Sequence, residues 1–281
     1  MIAVCPNPFR DHDLSITRQT MSLLTGSGHT CVVCPVFAEP EEVAFPKEWK
    51  TGFLQEFEDQ LSMVVVIGGD GTILRVVRDL NDKSVPLLGI NLGTMGFMSS
   101  LEPKELGHVL DAANGIYPTS PRMMLDSFLI RDGELIHQDI ALNDVVIHGY
   151  GECIIPHVFD DETEILNFSG DGIIFSSPTG STGYSMSAGG PIVEPDARAV
   201  ILSPICAHTM SAKCYVFSPR HSLRMKLEKH HGRRAYLAID GNQVYDLENG
   251  DIVVVRCSDS FIRMINPGFR NFFQQTYDKL K

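Results

Sequence analysis

No stretch of this 281-residue chain approaches the roughly 20 consecutive apolar residues that a helix needs to cross a bilayer. The start, Met1 to Arg10, holds two prolines and a strand-like run, and lacks the basic-then-apolar order of a secretory signal, so a cytoplasmic protein is expected. Positive charge is scarce: 23 Lys and Arg against 35 Asp and Glu leave a formal charge of −12. That balance excludes a general affinity for nucleic acid or for an anionic membrane. Cysteines are few and odd in number, at Cys5, Cys31, Cys34, Cys153, Cys206, Cys214 and Cys257, which is no disulfide framework for this length. Cys31-Val-Val-Cys34 has the spacing of half a metal site but no second such pair, and the histidines include no His-Glu-x-x-His. Internal repeats and low-complexity segments are also missing.

What is present is an ordinary globular composition, 43% hydrophobic and 21% charged, long enough for two modest domains. Ile2 to Cys5, Thr30 to Val36, Met63 to Ile67 and Pro86 to Ile90 read as short buried strands, with helical patterns over Leu14 to Leu24 and Thr72 to Leu80. Such alternation predicts an α/β domain over residues 1–117, a Rossmann-like parallel sheet with helices on both faces and ligands at the carboxyl ends of its strands. From about Pro118 the texture changes. Met123 to Ile130, Leu135 to Ile147, Gly172 to Ser176, Lys213 to Phe217, Ala235 to Ile239 and Asp251 to Cys257 read as strands joined by Gly, Asp or Asn turns. A sandwich-like, β-rich domain is expected over 118–265, and a tail helix over 266–281 that returns to the first domain.

The strand Met63 to Ile67 stops at Gly68-Gly69-Asp70-Gly71 and opens into a helical pattern from Thr72. Glycines let backbone N–H groups approach an anion, and a helix N-terminus behind them adds a favourable dipole. Asp70 does not belong in a plain phosphate cradle. Among groups that attract phosphate, a carboxylate repels the ligand unless it accepts a proton, orients a hydroxyl or works through a metal ion. This points to phosphoryl transfer, with a simple Asp-Gly turn as the bland alternative.

Residues 170–191 read Gly-Asp-Gly-Ile-Ile-Phe-Ser-Ser-Pro-Thr-Gly-Ser-Thr-Gly-Tyr-Ser-Met-Ser-Ala-Gly-Gly-Pro. Hydroxyls and amides at this density can bind ribose, phosphate and a base edge, and Tyr184 offers a packing face. A flexible linker would lack the interleaved Tyr, Met and Pro. Ala141-Leu-Asn-Asp-Val-Val-Ile147 sets Asn143 beside Asp144; neighbours in a strand point to opposite faces, so both reach one ligand only at a strand end or bulge.

In this combination the chain closely resembles the NAD kinase family. The resemblance rests on Gly68-Gly69-Asp70-Gly71-Thr72, Asn91-Leu-Gly-Thr-Met-Gly-Phe97, Arg122-Met-Met-Leu125, Ala141-Leu-Asn-Asp144, the block from Thr179 to Pro191, and Asp240-Gly241, in the family's order. Diacylglycerol and sphingosine kinases share the Gly-Gly-Asp-Gly motif; the Thr-Gly-Ser-Thr-x-Tyr block with the Asn-Asp pair is far more selective. The resemblance implies ATP-dependent phosphorylation of the 2′-hydroxyl of the adenosine ribose of NAD, giving NADP. Asp70 would be the catalytic carboxylate, and Gly68, Gly69 and Thr72 the phosphate loop. Gly71 and Arg75 would lie near the dinucleotide phosphates, Phe97 near the adenine, and Asn143 with Asp144 at ribose or nicotinamide polar groups. Ser169, Asp171, Thr179, Thr182, Gly183, Tyr184, Ser185 and Ser187 would complete the NAD site, with Asn242 where the family often has Gln. A divalent cation, Mg²⁺, is expected with ATP or a polyphosphate donor, no nucleic-acid or membrane partner, and a homodimer or homotetramer.

Two positions depart from that pattern. Ser169 stands where many relatives carry Arg or Lys, and a short hydroxyl cannot supply that charge. Asp144 stands where many bacterial members have Glu, one methylene longer. A lipid kinase would want an apolar cleft in place of the Ser- and Thr-rich loop, and a non-catalytic nucleotide sensor would gain nothing from Asp70.

Overall fold

The computed structural model describes residues 1–81, 83–93, 96–227, 234–269 and 271–281. Two compact units emerge, one built from Met1–Pro121 with Ile262–Lys281 and the other from Arg122–Phe261. The first stretch runs β1 (Ile2–Pro6), α1 (Ser15–Gly26), β2 (Cys31–Val33), β3 (Met63–Gly68), α2 (Asp70–Asp79), β4 (Leu87–Asn91) and α3 (His108–Ala113). The β-rich unit follows with β5 (Thr119–Arg131), β6 (Glu134–Ala141), β7 (Asp144–Gly149), β8 (Pro156–Asp160), β9 (Thr163–Asn167), β10 (Gly172–Ser176), α4 (Tyr184–Ser187), β11 (Val200–Ile205), β12 (Tyr215–Phe217), β13 (Ser222–Leu227), β14 (Ala235–Ile239) and β15 (Gln243–Leu247). Strand β16 (Ile252–Ile265) leads back to the first unit and helix α5 (Phe272–Lys279) ends it.

In the first unit the strands pair in parallel in the order β2-β1-β3-β4, and Met264 of β16 pairs in parallel with Leu87. Val64, Val65, Leu87 and Leu88 are fully buried, which is why these strands read as unbroken apolar runs. Each such side chain contributes roughly 1.5–3 kcal/mol on burial. On α2 the helical spacing of Ile73, Val76 and Val77 turns them into the core. The α/β character expected of this half is therefore observed.

The second unit is built on antiparallel pairs. One sheet has the order β12-β11-β10-β7-β14-β15; the other carries β16-β13-β8-β9, with β5 paired to β6 and β16. One apolar cluster draws Val145, Ile147, Ile173, Phe175 and Leu237 from the first sheet and Leu125, Val158, Leu223, Met225 and Val253 from the second. That is the packing of a β-sandwich, as expected.

Several elements differ from the sequence reading for physical reasons. The strand expected over Thr30 to Val36 stops at Val33 because Pro35 has no N–H to give; Cys34 and Val36 still donate to Val4 and Pro6. The single strand expected over Leu135 to Ile147 breaks at Leu142 and Asn143, where the chain leaves β6 in one sheet and enters β7 in the other. Helix α2 begins at Asp70, two residues before the expected Thr72, so that side chain sits in the first helical turn. Strand β11 escapes the pattern because Pro204 interrupts it. Among the described residues no helix is long and apolar enough to cross a membrane.

Candidate active site

In the first unit, β3 delivers its chain at Gly68 and α2 starts at once. A Cβ on Gly68 would come within 2.3 Å of the Thr72 hydroxyl, so only glycine permits this tight step. Thr72 is buried, and its hydroxyl accepts from Asn7 Nδ2 at 3.1 Å, tying the helix start to the segment after β1. No side chain caps α2, whose N-cap residue is Gly69. The Thr72 N–H already donates to the Gly69 carbonyl at 2.9 Å, which leaves the amides of Asp70 and Gly71 for an anion.

The Asp70 carboxylate is held from outside its own helix. Oδ2 accepts the Phe97 N–H at 2.8 Å and Oδ1 the Met98 N–H at 3.2 Å. Burial pushes its pKa above the ordinary carboxylate value, against the pull of these two N–H donors and the charge of Lys279. The Gly96–Met98 turn is braced in turn by Asn91 at the end of β4, because a Cβ on Gly96 would fall 2.8 Å from the Asn91 amide. Thr94 and Met95 of the Asn91–Phe97 motif lie outside the described residues. Arg75 does not face the carboxylate of Asp70; its Nε donates to Asp79 Oδ2 at 2.8 Å on the same helix.

In the second unit the break between β6 and β7 puts Asn143 and Asp144 at a strand end, the placement that lets both serve one ligand. What holds the break is Asp240. Its Oδ2 accepts the Leu142 N–H at 2.8 Å, and its Oδ1 accepts those of Asn143 at 2.7 Å and Asp144 at 3.0 Å. Asp240 and Gly241 have φ of 47° and 69°, and Asn242 N–H donates to the Ile239 carbonyl. Two successive positive φ values make a type I′ hairpin turn, for which Asp-Gly is suited.

The Thr179–Thr182 turn presses against Asn143: a Cβ on Gly180 would lie 2.1 Å from the Asn143 carbonyl oxygen. From a Cβ built on Gly183, the Asn143 amide nitrogen is 3.6 Å and Asp144 Oδ2 4.0 Å away. Asn143 Oδ1 and Thr179 Oγ1 are buried and have no hydrogen-bond partner among the described residues. Asp144 is 7% exposed, and burial followed by the nearby Asp240 charge raises its pKa to about 7. Tyr184 is exposed; burial, then the Tyr236, Cys206, Asp171 and Asp144 groups, raise its pKa.

The remaining expected residues fall into two groups. Thr182 donates weakly to the Thr179 carbonyl at 3.4 Å, while Ser187 and Asn242 are exposed, the latter donating to the Asp240 carbonyl at 2.8 Å. Ser185 turns inward, hydrogen-bonded to Ser203 at 2.9 Å, and so anchors the loop. Ser169 is half-buried, its carbonyl accepting the His208 N–H at 2.8 Å. Sequence reading gave no role to Asn7, Ser177 or Asp240. Ser177 Oγ donates to the Leu142 carbonyl at 2.5 Å and accepts from Gly180 N–H at 3.1 Å, so it staples the two loops together.

Residues 12–115 match the ATP-NAD kinase N-terminal domain and residues 142–266 the ATP-NAD kinase C-terminal domain. The NAD kinase of Acetivibrio thermocellus is 32% identical over 284 residues, spanning 99% of this chain and 96% of that protein. The chain belongs to the ATP-NAD kinase family. The Ruminiclostridium cellulolyticum NAD kinase is likewise 32% identical, over 99% of this chain and 97% of its own. Yeast NADH kinase, solved with NADH, shares the fold at a TM-score of 0.86 and 24% identity, covering 99% of this chain and 86% of that one. The Archaeoglobus fulgidus NAD kinase, solved with ATP, superposes at 0.77 with 24% identity, covering 100% and 98%. Membership of this kinase family makes the chain a phosphotransferase.

Proposed function

We propose that the protein transfers the terminal phosphoryl group of ATP to the 2′-hydroxyl of the adenosine ribose of NAD, yielding NADP. The carrying observation is the Asp70 carboxylate, fixed by two backbone amides in the first turn of an uncapped helix behind a glycine step. Burial raises the Asp70 pKa, yet a carboxylate still cannot strip a ribose hydroxyl in advance. In a loose, metaphosphate-like transition state it needs only to orient the hydroxyl and accept its proton as the new P–O bond forms. Gly68, Gly69 and Thr72 form the phosphate loop in this reading, with Gly71, Arg75 and Phe97 as dinucleotide contacts of the first unit.

In the second unit we assign the dinucleotide to Asn143, Asp144, Ser169, Asp171, Thr179, Thr182, Gly183, Tyr184, Ser187 and Asn242, with Ser185 anchoring the loop from inside. The support is the pair of buried, partnerless acceptors at Asn143 and Thr179 beside an exposed tyrosine. Buried polar atoms are rarely left unpaired without a reason. The divalent cation, for which Mg²⁺ is the natural choice, enters with the triphosphate as part of the substrate. Among the described residues no group of three or more His, Cys, Asp and Glu gathers as a metal site. Work in the cytoplasm as a homodimer or homotetramer completes the proposal.

The deciding experiment is purified protein with MgATP and NAD, coupled to an NADP-specific dehydrogenase, with a diacylglycerol as the comparison acceptor. NADP formation is the expected result. Phosphorylation of the lipid without NADP would overturn the reading.

A further inference from the structure

The carboxylate of Asp70 is oriented by a turn that the chain terminus holds in place. Gln275 Nε2 of α5 donates to the Gly96 carbonyl at 2.9 Å, and Lys279 Nζ lies 5.2 Å from the centroid of the Phe97 ring. Gly96 and Phe97 frame the peptide whose N–H donates to Asp70 Oδ2. Helix α5 is itself well anchored: Asn271 caps it by accepting the Phe273 N–H at 2.9 Å, and Thr276 is buried. Lys279 stands in its last turn, where the helix dipole favours a cation. All of these residues belong to the first unit.

We propose that α5 is part of the catalytic apparatus, with Gln275 and Lys279 acting as positioning residues that hold the Gly96–Met98 turn and, through its amides, the Asp70 carboxylate. The proposal rests on Asp70 being the catalytic carboxylate. Among the charged groups of the described residues, Lys279 acts on Asp70 from α5, whereas Arg75 on the same helix as Asp70 is engaged by Asp79; Asn7 beside Thr72 is polar and does not titrate. Lys279 thus also opposes protonation of Asp70.

The test compares Lys279→Met, Lys279→Arg, Lys281→Met and Asp70→Asn in the full chain, by steady-state kinetics from pH 5 to 9 and thermal unfolding. Lys281, which stacks on Tyr277 at 4.1 Å, is the control and should change nothing. Lys279→Met should lower kcat on the order of fivefold, with KM for NAD and ATP within about twofold and the acid limb of the pH profile moved to higher pH. Lys279→Arg should restore both. Unchanged kcat and acid limb in Lys279→Met, or a loss that Arg does not rescue and that follows a lowered Tm, would overturn the proposal. Retained turnover in Asp70→Asn would instead overturn the assignment of Asp70.

Discussion

Asp240 is tied to the Asp144 backbone twice: its carboxylate accepts the Asp144 N–H at 3.0 Å, and its own N–H donates to the Asp144 carbonyl at 3.0 Å. Two carboxylates are brought close by this arrangement in a buried place, but unequally. Burial raises the pKa of both; three amides pull that of Asp240 partly back, whereas Asp144 faces burial and its neighbour's charge. The three amides therefore favour the charged form at Asp240 over that at Asp144, which is driven towards the neutral acid.

The stability of the protein should therefore depend on pH through Asp144. An unfolded Asp titrates near 3.9 and the folded group at about 7, so the native state holds the extra proton between those values. Stability falls as pH rises from about 4 to about 7 and then levels, a loss on the order of 4 kcal/mol from this group. Asp144→Asn removes the dependence. Denaturant unfolding of both forms between pH 5 and 8.5 should show the variant gaining on the parent up to about pH 7 and holding a constant lead above it. A difference independent of pH would refute the placement of that titration.

Asp70→Asn keeps the shape and one of the two accepted hydrogen bonds, sets its NH2 against the other N–H, and removes the proton acceptor. Turnover should fall by roughly 10²–10⁴-fold, the usual contribution of a positioned general base. Dissociation constants for NAD and for ATP, measured by calorimetry, should stay within about threefold. Near-normal turnover would mean that Asp70 only shapes the turn at Phe97 and Met98.

Gly180→Ala tests how the two loops of the second unit are registered. The added methyl would meet the Asn143 carbonyl oxygen, its carbon and its Cα at 2.1, 2.6 and 2.7 Å, all backbone atoms that cannot swing aside. Overpacking of this kind costs about 3 kcal/mol, the upper end of the usual range. Since Asn143 must shift to relieve it, KM for NAD should rise together with the loss of Tm. A variant that melts like the parent would show that the turn has room to move.

How far these features could be read beforehand depended on how local their causes are. The glycine step at Gly68 to Gly71 is legible because a β-branched run, a turn and a helical face follow one another without a gap from Met63 to Leu80. The strand-end position of Asn143 was legible only as a condition, since the carboxylate that enforces it comes from Asp240, 97 residues later. Nothing local marks Gln275, whose contact with Gly96 spans 179 residues of sequence. Proline misled in both directions: Pro35 cut short a strand that composition favoured, and Pro204 hid one that the sheet accepts. Ser185 has the composition of a ligand contact, but its neighbour Ser203 draws it inward, which only tertiary packing decides.

Thr179→Val probes what the binding loop gives up in stability to keep its chemistry. Thr179 Oγ1 is buried without a hydrogen-bond partner among the described residues, a condition that costs about 1–3 kcal/mol. Valine matches threonine in shape and has no hydroxyl to desolvate. The substrate-free variant should therefore unfold at a higher temperature, with a gain of about 1 kcal/mol. If that hydroxyl waits for the dinucleotide, the same change should raise KM for NAD while leaving KM for ATP alone. Equal or lower Tm together with unchanged KM would mean that the hydroxyl is satisfied within the folded chain and that Thr179 only builds the turn.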